Sequence, residues 1–173
     1  MNYSGRDLLL GGLLLALALV LPIAFHAVGL GSAFLPMFYP IIVAGYLVGL
    51  PVALSVGFLA PLTSAFLTGM PPFFPPIAFV MMAEGLVLGG TPAILHQRYK
   101  LGIWPTLAVT IILDRLVLFG AVYVSAKWLD LPEGVLGIAS LLRGLPGIAI
   151  IFVLIPPLVK KIKIEMQKMP VME

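Results

Sequence analysis

The sequence predicts an all-α integral membrane protein with six transmembrane helices and both termini in the cytoplasm. Of its 173 residues, 61% are hydrophobic and only 10% are charged, whereas a soluble domain carries about 25% charged residues. Between residues 8 and 95 the only formally charged side chain is Glu84. Most of the surface must therefore face lipid, which excludes a soluble enzyme, a nucleic-acid-binding protein and a disulfide-stabilised secreted domain.

Glycine and proline residues divide the apolar chain into segments that can cross a bilayer, which takes roughly 20 residues, or fewer for a tilted or partial span. The predicted spans are residues 8–28, 36–50, 52–68, 76–95, 103–126 and 135–159, followed by a basic tail at 160–173. Spans two and three meet at Gly49-Leu50-Pro51, which predicts a tight helical hairpin. We expect residues 1–173 to form one transmembrane domain.

The charges in the loops predict how the protein is oriented in the membrane, because cytoplasmic loops carry an excess of lysine and arginine. The loop between spans five and six, residues 127–134, is net negative and is expected to lie outside. The basic residues lie in the loop after span four and in the C-terminal tail: His96, Arg98, Lys100, Lys160, Lys161, Lys163 and Lys168. Both of these segments, and hence both termini, are expected to be cytoplasmic.

Four charged residues fall inside predicted spans: Glu84, Asp114, Arg115 and Arg143. A charge in hydrocarbon costs at least a few kcal/mol, so each should face the interior of the bundle and have a partner. In one interpretation Glu84 pairs with Arg115 and Asp114 with Arg143, and the pairs hold three helices together. In the other, some of these groups bind a polar ligand that enters from outside. Asp114 and Arg115 point about 100° apart on a helix, so we expect them not to face the same spot.

Other features are weaker indications of chemistry. The proline-rich outer loop at residues 69–75 is either a lid or pocket wall, or a simple hairpin connection. Phe38 and Tyr39 suit an aromatic belt or a surface on which a ring stacks. His26, near the outer end of span one, is interpreted as an interfacial histidine or one whose hydrogen bonds are satisfied within the protein, since no second ligand lies at metal-binding spacing. No nucleotide-binding, metalloprotease or esterase motif is present, so no catalytic residue, cofactor or metal is predicted.

Two stretches resemble a known family. Residues 35–40, Leu-Pro-Met-Phe-Tyr-Pro, and residues 67–72, Leu-Thr-Gly-Met-Pro-Pro, are similar to spans two and three of the substrate-binding S components of energy-coupling factor (ECF) vitamin transporters. Glu84, Arg115 and residues 144–147, Gly-Leu-Pro-Gly, also fall where that family has similar residues. The resemblance covers nearly the whole chain, from residue 8 to about residue 161.

The resemblance implies a protein of the prokaryotic plasma membrane that binds a vitamin or a precursor from outside. Such a subunit docks on a transmembrane coupling protein that carries two ABC-type ATPases. The family contacts its coupling protein through a small-xxx-small motif on span one, which Gly12 and Ala16 match here. The substrate-binding residues expected on this basis and from the buried charges are Arg115, Arg143, Glu84, Tyr39, Phe38, Met37, Asp114 and Met70.

The identity of the ligand is left open by the sequence. Relatives with a Leu-Pro-Met stretch often continue with histidine, whereas this chain has Phe38. A buried Arg115 or Arg143 would suit a carboxylate, which favours pantothenate or another small acid. The alternative to a transporter subunit is a membrane scaffold that transports nothing, such as a shape-determining protein, which would not need four charges gathered toward one side.

Overall fold

Helices account for nearly all of the described chain. The computed structural model describes residues 4–27, 29, 31–74, 76–128 and 144–168, and these contain no β-strand. The helices are α1 (Gly5–Ala27), α2 (Gly31–Phe34), α3 (Phe38–Leu47), α4 (Leu50–Thr68), α5 (Ile77–Pro92), α6 (Ile103–Trp128) and α7 (Leu145–Lys168). α5 continues without a break into a π-helical turn, Ala93–Arg98.

Five of these helices are long and apolar enough to cross a membrane: α1, α4, α5 with its π-helical turn, α6 and α7. The predicted second span, residues 36–50, is longer than the helix found there, because α3 has only 10 residues. At 1.5 Å per residue α3 extends about 15 Å, half the thickness of the hydrocarbon core. The helix is short because Val48 adopts an extended backbone and Gly49-Leu50-Pro51 starts the next helix at once.

The predicted sixth span also differs from the helix that is described. α7 begins at Leu145, and the start predicted at residue 135 lies outside the described residues. At its other end α7 continues to Lys168, so much of the predicted basic tail is helical. Lysine and glutamate are good helix formers, which explains why the helix extends beyond its apolar part.

α3 forms the centre of the bundle, packed against α1, α4, α5 and α7. Eight of its residues are buried, including Ile41, Ile42 and Tyr46, none of which is more than 1% exposed. A helix that is apolar on all sides is typical of such a central position. Its burial explains why a segment of only ten residues can lie among membrane helices without reaching both surfaces.

Glycines allow α4 and α5 to approach until their backbones touch. A Cβ atom on Gly57 would collide with the carbonyl oxygen of Gly85, and a Cβ on Gly85 would collide with that of Gly57. One turn further along α5, a Cβ on Gly89 would lie 2.6 Å from the carbonyl oxygen of Ala53. Close packing of small residues is a main source of helix association in membranes.

Candidate ligand-binding cavity

A cavity of about 710 Å³ opens at one end of the bundle. Its walls come from the end of α1, the segment around α2, the loop between α4 and α5, and the facing parts of α5 and α6. Most of the lining is apolar and includes Ile23, Leu35, Ile77, Met81 and Leu118. Two charged side chains, Glu84 and Arg115, also face the cavity.

The charges at the cavity wall form a three-membered cluster. The Nη2 of Arg115 lies 3.3 Å from Oε1 of Glu84 and 2.6 Å from Oδ2 of Asp114. The Nε of Arg115 also donates a hydrogen bond to Oδ2 of Asp114, at 2.9 Å. The side chains of Glu84 and Asp114 are 4% and 1% exposed, against 21% for Arg115. One guanidinium therefore bridges two buried carboxyl groups while keeping part of its surface in the cavity.

The cluster corrects our expectation that Asp114 and Arg115 would not face the same spot. Their Cα–Cβ bonds diverge, but the long arginine side chain bends back along α6 until its guanidinium reaches the carboxylate of its neighbour. The expected pairing of Glu84 with Arg115 is present and joins α5 to α6. Arg143, the expected partner of Asp114, lies outside the described residues.

The loop between α4 and α5 forms one wall of the cavity and is held by hydrogen bonds. The hydroxyl of Ser64 donates to the carbonyl oxygen of Met70 at 2.7 Å, and the backbone N–H of Met70 donates to Oγ1 of Thr68 at 3.2 Å. Gly69 makes the turn with φ +71°, a conformation that glycine adopts without strain. Phe73 packs between Phe66 and Phe79, with ring centroids 5.1 and 5.8 Å apart.

The family model of the ECF transporter substrate-specific component matches residues 6–159 of this chain. The chain belongs to this family. The resemblance found in the sequence is thereby confirmed, and the protein is a multi-pass membrane protein and the substrate-specific subunit of a transporter. No curated protein and no solved structure matches the chain.

Five of the residues that the sequence singled out in this S component line the same cavity: Met37, Phe38, Met70, Glu84 and Arg115. They come from four segments that are far apart in the chain, and the fold brings them together. Their contact with a ligand stays a prediction.

Tyr39 and Asp114 are not on the lining of the cavity. The hydroxyl of Tyr39 donates to the carbonyl oxygen of Gly147 at 3.4 Å, and so links α3 to the start of α7. Tyr39 follows Phe38 on a helix, and the turn of about 100° between them directs only one toward the cavity. Asp114 is fully buried and does not reach the cavity. Its carboxylate accepts a hydrogen bond from Arg115, which does.

The structure adds lining residues of the S component that sequence reasoning missed. His26, interpreted as interfacial, faces the cavity, as do Met81 and Leu118. A signal for the last two was available, since Met81 is three residues before Glu84 and Leu118 three residues after Arg115. Residues three apart share a helix face. Because Glu84 and Arg115 were both expected to face the interior, this spacing could have placed Met81 and Leu118 there too.

Replacing Ser64 with alanine is expected to destabilise this S component by about 1 kcal/mol, because the carbonyl oxygen of Met70 loses its shortest hydrogen bond, which the buried Ser64 hydroxyl donates. Ser55→Ala on the same helix is a matched control. Its hydroxyl donates to the carbonyl oxygen of Pro51 one turn earlier and is exposed, so a change below about 0.5 kcal/mol is expected. Thermal unfolding of the two variants in detergent would measure the difference, and equal effects would show that the Ser64 bond does not hold the loop.

Proposed function

We propose that this S component binds a vitamin or a related small molecule in the 710 Å³ cavity, entering from the extracellular side. The observation that carries the proposal is an apolar cavity with one convergent group of charges. Sites for small molecules are typically about 300–1,000 Å³ in volume, mostly apolar, and carry a few polar groups that fix the ligand's orientation. Glu84 and Arg115 are charged groups of this kind in the lining of the cavity.

The arrangement of charge along the bundle supports this direction of entry. Around the cavity, the loop at residues 69–76 contains no charged residue, whereas Lys100 and Lys163 lie at the opposite end. By the rule that basic residues concentrate in the cytoplasm, the cavity faces outside. We propose that α2 and α3 together supply the sixth membrane-embedded segment, which leaves both termini in the cytoplasm.

The hydrogen bonds of Arg115 indicate how it would hold a ligand. Its Nε and Nη2 are engaged by carboxylates, while Nη1 makes no hydrogen bond to any described residue. Nη1 points toward Gly144, which lines the cavity, and lies 3.5 Å from the position of a Cβ there. Arg115 would therefore offer the ligand Nη1 alone. We propose that a carboxylate or carbonyl oxygen of the ligand accepts a single hydrogen bond from this nitrogen.

Docking on a coupling protein is supported by the free face of α1. Gly11, not Gly12, makes the close approach within the chain, since a Cβ on Gly11 would collide with Val52. A Cβ on Gly12 would meet no atom of the described residues within 4 Å, and Ala16 is exposed on the same face. Small residues on an open helix face allow a second helix to pack closely. We propose that a transmembrane coupling protein with two ABC-type ATPases packs here and supplies the energy.

The proposal is tested by screening water-soluble vitamins and their precursors against the detergent-purified protein by thermal shift, followed by calorimetric titration. Leu118→Trp, which places a bulky ring in the cavity, is expected to weaken binding at least about tenfold. Leu116→Trp is a matched control on the same helix, because Leu116 is 60% exposed and does not line the cavity.

A ligand that stabilises the native chain and the Leu116 variant but not the Leu118 variant would establish the cavity as the binding site. Equal binding by both variants would place the ligand elsewhere. No stabilisation by any compound in the panel would count against a vitamin as the cargo.

A further inference from the structure

A second cavity, of about 420 Å³, lies at the opposite end of the bundle from the ligand cavity. It is lined by residues of α3, the π-helical turn, the connection to α6, and α7. They are Tyr46, Leu47, His96, Gln97, Lys100 and Lys163. Neither the ligand cavity nor the free face of α1 includes any of these residues.

The hydrogen bonds of His96 fix its protonation state and hold one lysine in place. Nδ1 of His96 lies 2.6 Å from the carbonyl oxygen of Leu101, which can only accept, so Nδ1 carries the hydrogen. Nε2 lies 2.6 Å from Nζ of Lys163, an ammonium that can only donate. His96 is therefore a neutral imidazole that orients the Lys163 ammonium at the edge of the cavity.

The remaining walls are also fixed by hydrogen bonds. The side-chain amide of Gln97 donates to the carbonyl oxygens of Gly45 and Val48, at 2.6 and 2.7 Å. The hydroxyl of Tyr46 donates to the carbonyl oxygen of Ile103 at 2.9 Å. These bonds hold the C-terminal end of α3 against the π-helical turn and the start of α6. The walls of the polar cavity are therefore preformed.

The charge of this cavity is positive. Lys100 and Lys163 both line it, and within the described part of the chain neither forms an ion pair with a carboxylate. Lys100 has φ +58°, in the left-handed region that residues with a Cβ seldom adopt. Two ammonium groups directed at one cavity repel each other unless an anion lies between them.

The surroundings indicate where such an anion comes from. Tyr99 and Trp104, on either side of the Lys100 connection, are 68% and 53% exposed. Leu101 and Ile164 are exposed as well. Aromatic side chains of this kind concentrate where a membrane meets water, and basic pockets between membrane helices bind anionic headgroups.

We propose that this cavity binds the phosphate group of an anionic phospholipid, with Lys100 and Lys163 as its two cationic contacts and His96 as the residue that positions Lys163. The apolar and aromatic rim favours a lipid over an acidic protein segment, because acyl chains can lie along it. The site is independent of the vitamin cavity and of the proposed cargo.

The test titrates the detergent-purified full chain with phosphatidylglycerol or phosphatidylcholine and follows binding by native mass spectrometry. The buffer should contain about 0.5 M salt, where the Debye length is roughly 4 Å and attraction by the general surface charge is suppressed. The wild-type chain is expected to prefer phosphatidylglycerol. The Lys100→Gln/Lys163→Gln variant is expected to bind it about thirtyfold more weakly.

The matched control is Lys160→Gln/Lys161→Gln, which removes the same charge from exposed positions outside the cavity and should bind within about threefold of the wild type. Lys100→Gln alone changes only an exposed side chain. It is the variant to test if the double variant does not fold. If millimolar inorganic phosphate displaces phosphatidylglycerol, soluble phosphate also enters the cavity. If it does not displace the lipid, the site is assigned to lipid alone. No preference for phosphatidylglycerol, or equal losses in both double variants, would overturn the proposal.

Discussion

Replacing Arg115 with methionine is expected to lower the free energy of unfolding by about 3–5 kcal/mol, the usual cost of removing one partner from a buried ion pair. Arg115 is the only described cation in contact with Glu84 and Asp114, and both carboxylates are nearly inaccessible. Without it two carboxyl groups buried in an apolar bundle would lose their cationic partner. The same substitution removes Nη1 from the ligand cavity, so ligand binding is expected to be lost.

Two controls separate the buried charge from other effects of the substitution. Arg98→Met removes an exposed arginine and is expected to change stability by less than about 0.5 kcal/mol. Glu84→Gln/Asp114→Asn/Arg115→Met removes all three charges together and should recover most of the lost stability, since no unpaired ion remains. Thermal unfolding in detergent measures all of them. If the triple variant were as unstable as Arg115→Met, the loss would come from packing and not from buried charge.

Replacing Gly85 with valine is expected to destabilise the protein by about 3 kcal/mol or more, or to prevent folding. This value is at the upper end of the usual cost of inserting extra atoms into a packed core. The new Cβ would collide with the backbone of Gly57, and a backbone carbonyl cannot turn aside as a flexible side chain can. The two helices would have to separate along the contact from Gly57–Gly85 to Ala53–Gly89. The yield of monodisperse protein and its melting temperature measure the effect.

Gly120→Val is the matched control for this substitution. Gly120 is also in a membrane helix, but a Cβ there would lie more than 4 Å from every atom in the part of the chain that the structure describes. Its expected effect is below about 1 kcal/mol, the range of intrinsic helix propensity. Similar melting temperatures for the two variants would contradict the close approach of α4 and α5.

The boundaries of two long helices, α4 and α6, were predictable because their signals are local. The predicted spans 52–68 and 103–126 agree within two residues with α4 at Leu50–Thr68 and α6 at Ile103–Trp128. Each ends or begins beside a glycine or proline, whose effect on the backbone does not depend on the rest of the fold. The resemblance in residues 35–40 and 67–72 likewise needed only the sequence, and the family model confirms it.

The candidate site was only partly predictable. Glu84 and Arg115 were expected to face the interior because a charge in hydrocarbon is costly wherever the helix lies. The pair with Glu84 was one of the expected arrangements, but the contact of Arg115 with Asp114 was not, since it depends on the long arginine side chain bending back to the neighbouring carboxylate. The same holds for Tyr39, whose hydroxyl joins Gly147 and not the cavity.

The sequence by itself determined the membrane class, the long helices and the presence of buried charges, because composition and hydropathy act over a window of consecutive residues. The tertiary structure decided that α3 is a short central helix, that Gly11 and not Gly12 packs within the chain, and that two cavities lie at opposite ends. These features depend on how far each helix is rotated about its axis. Rotation is set by contacts between residues that are distant in the chain, and a local pattern carries no record of them.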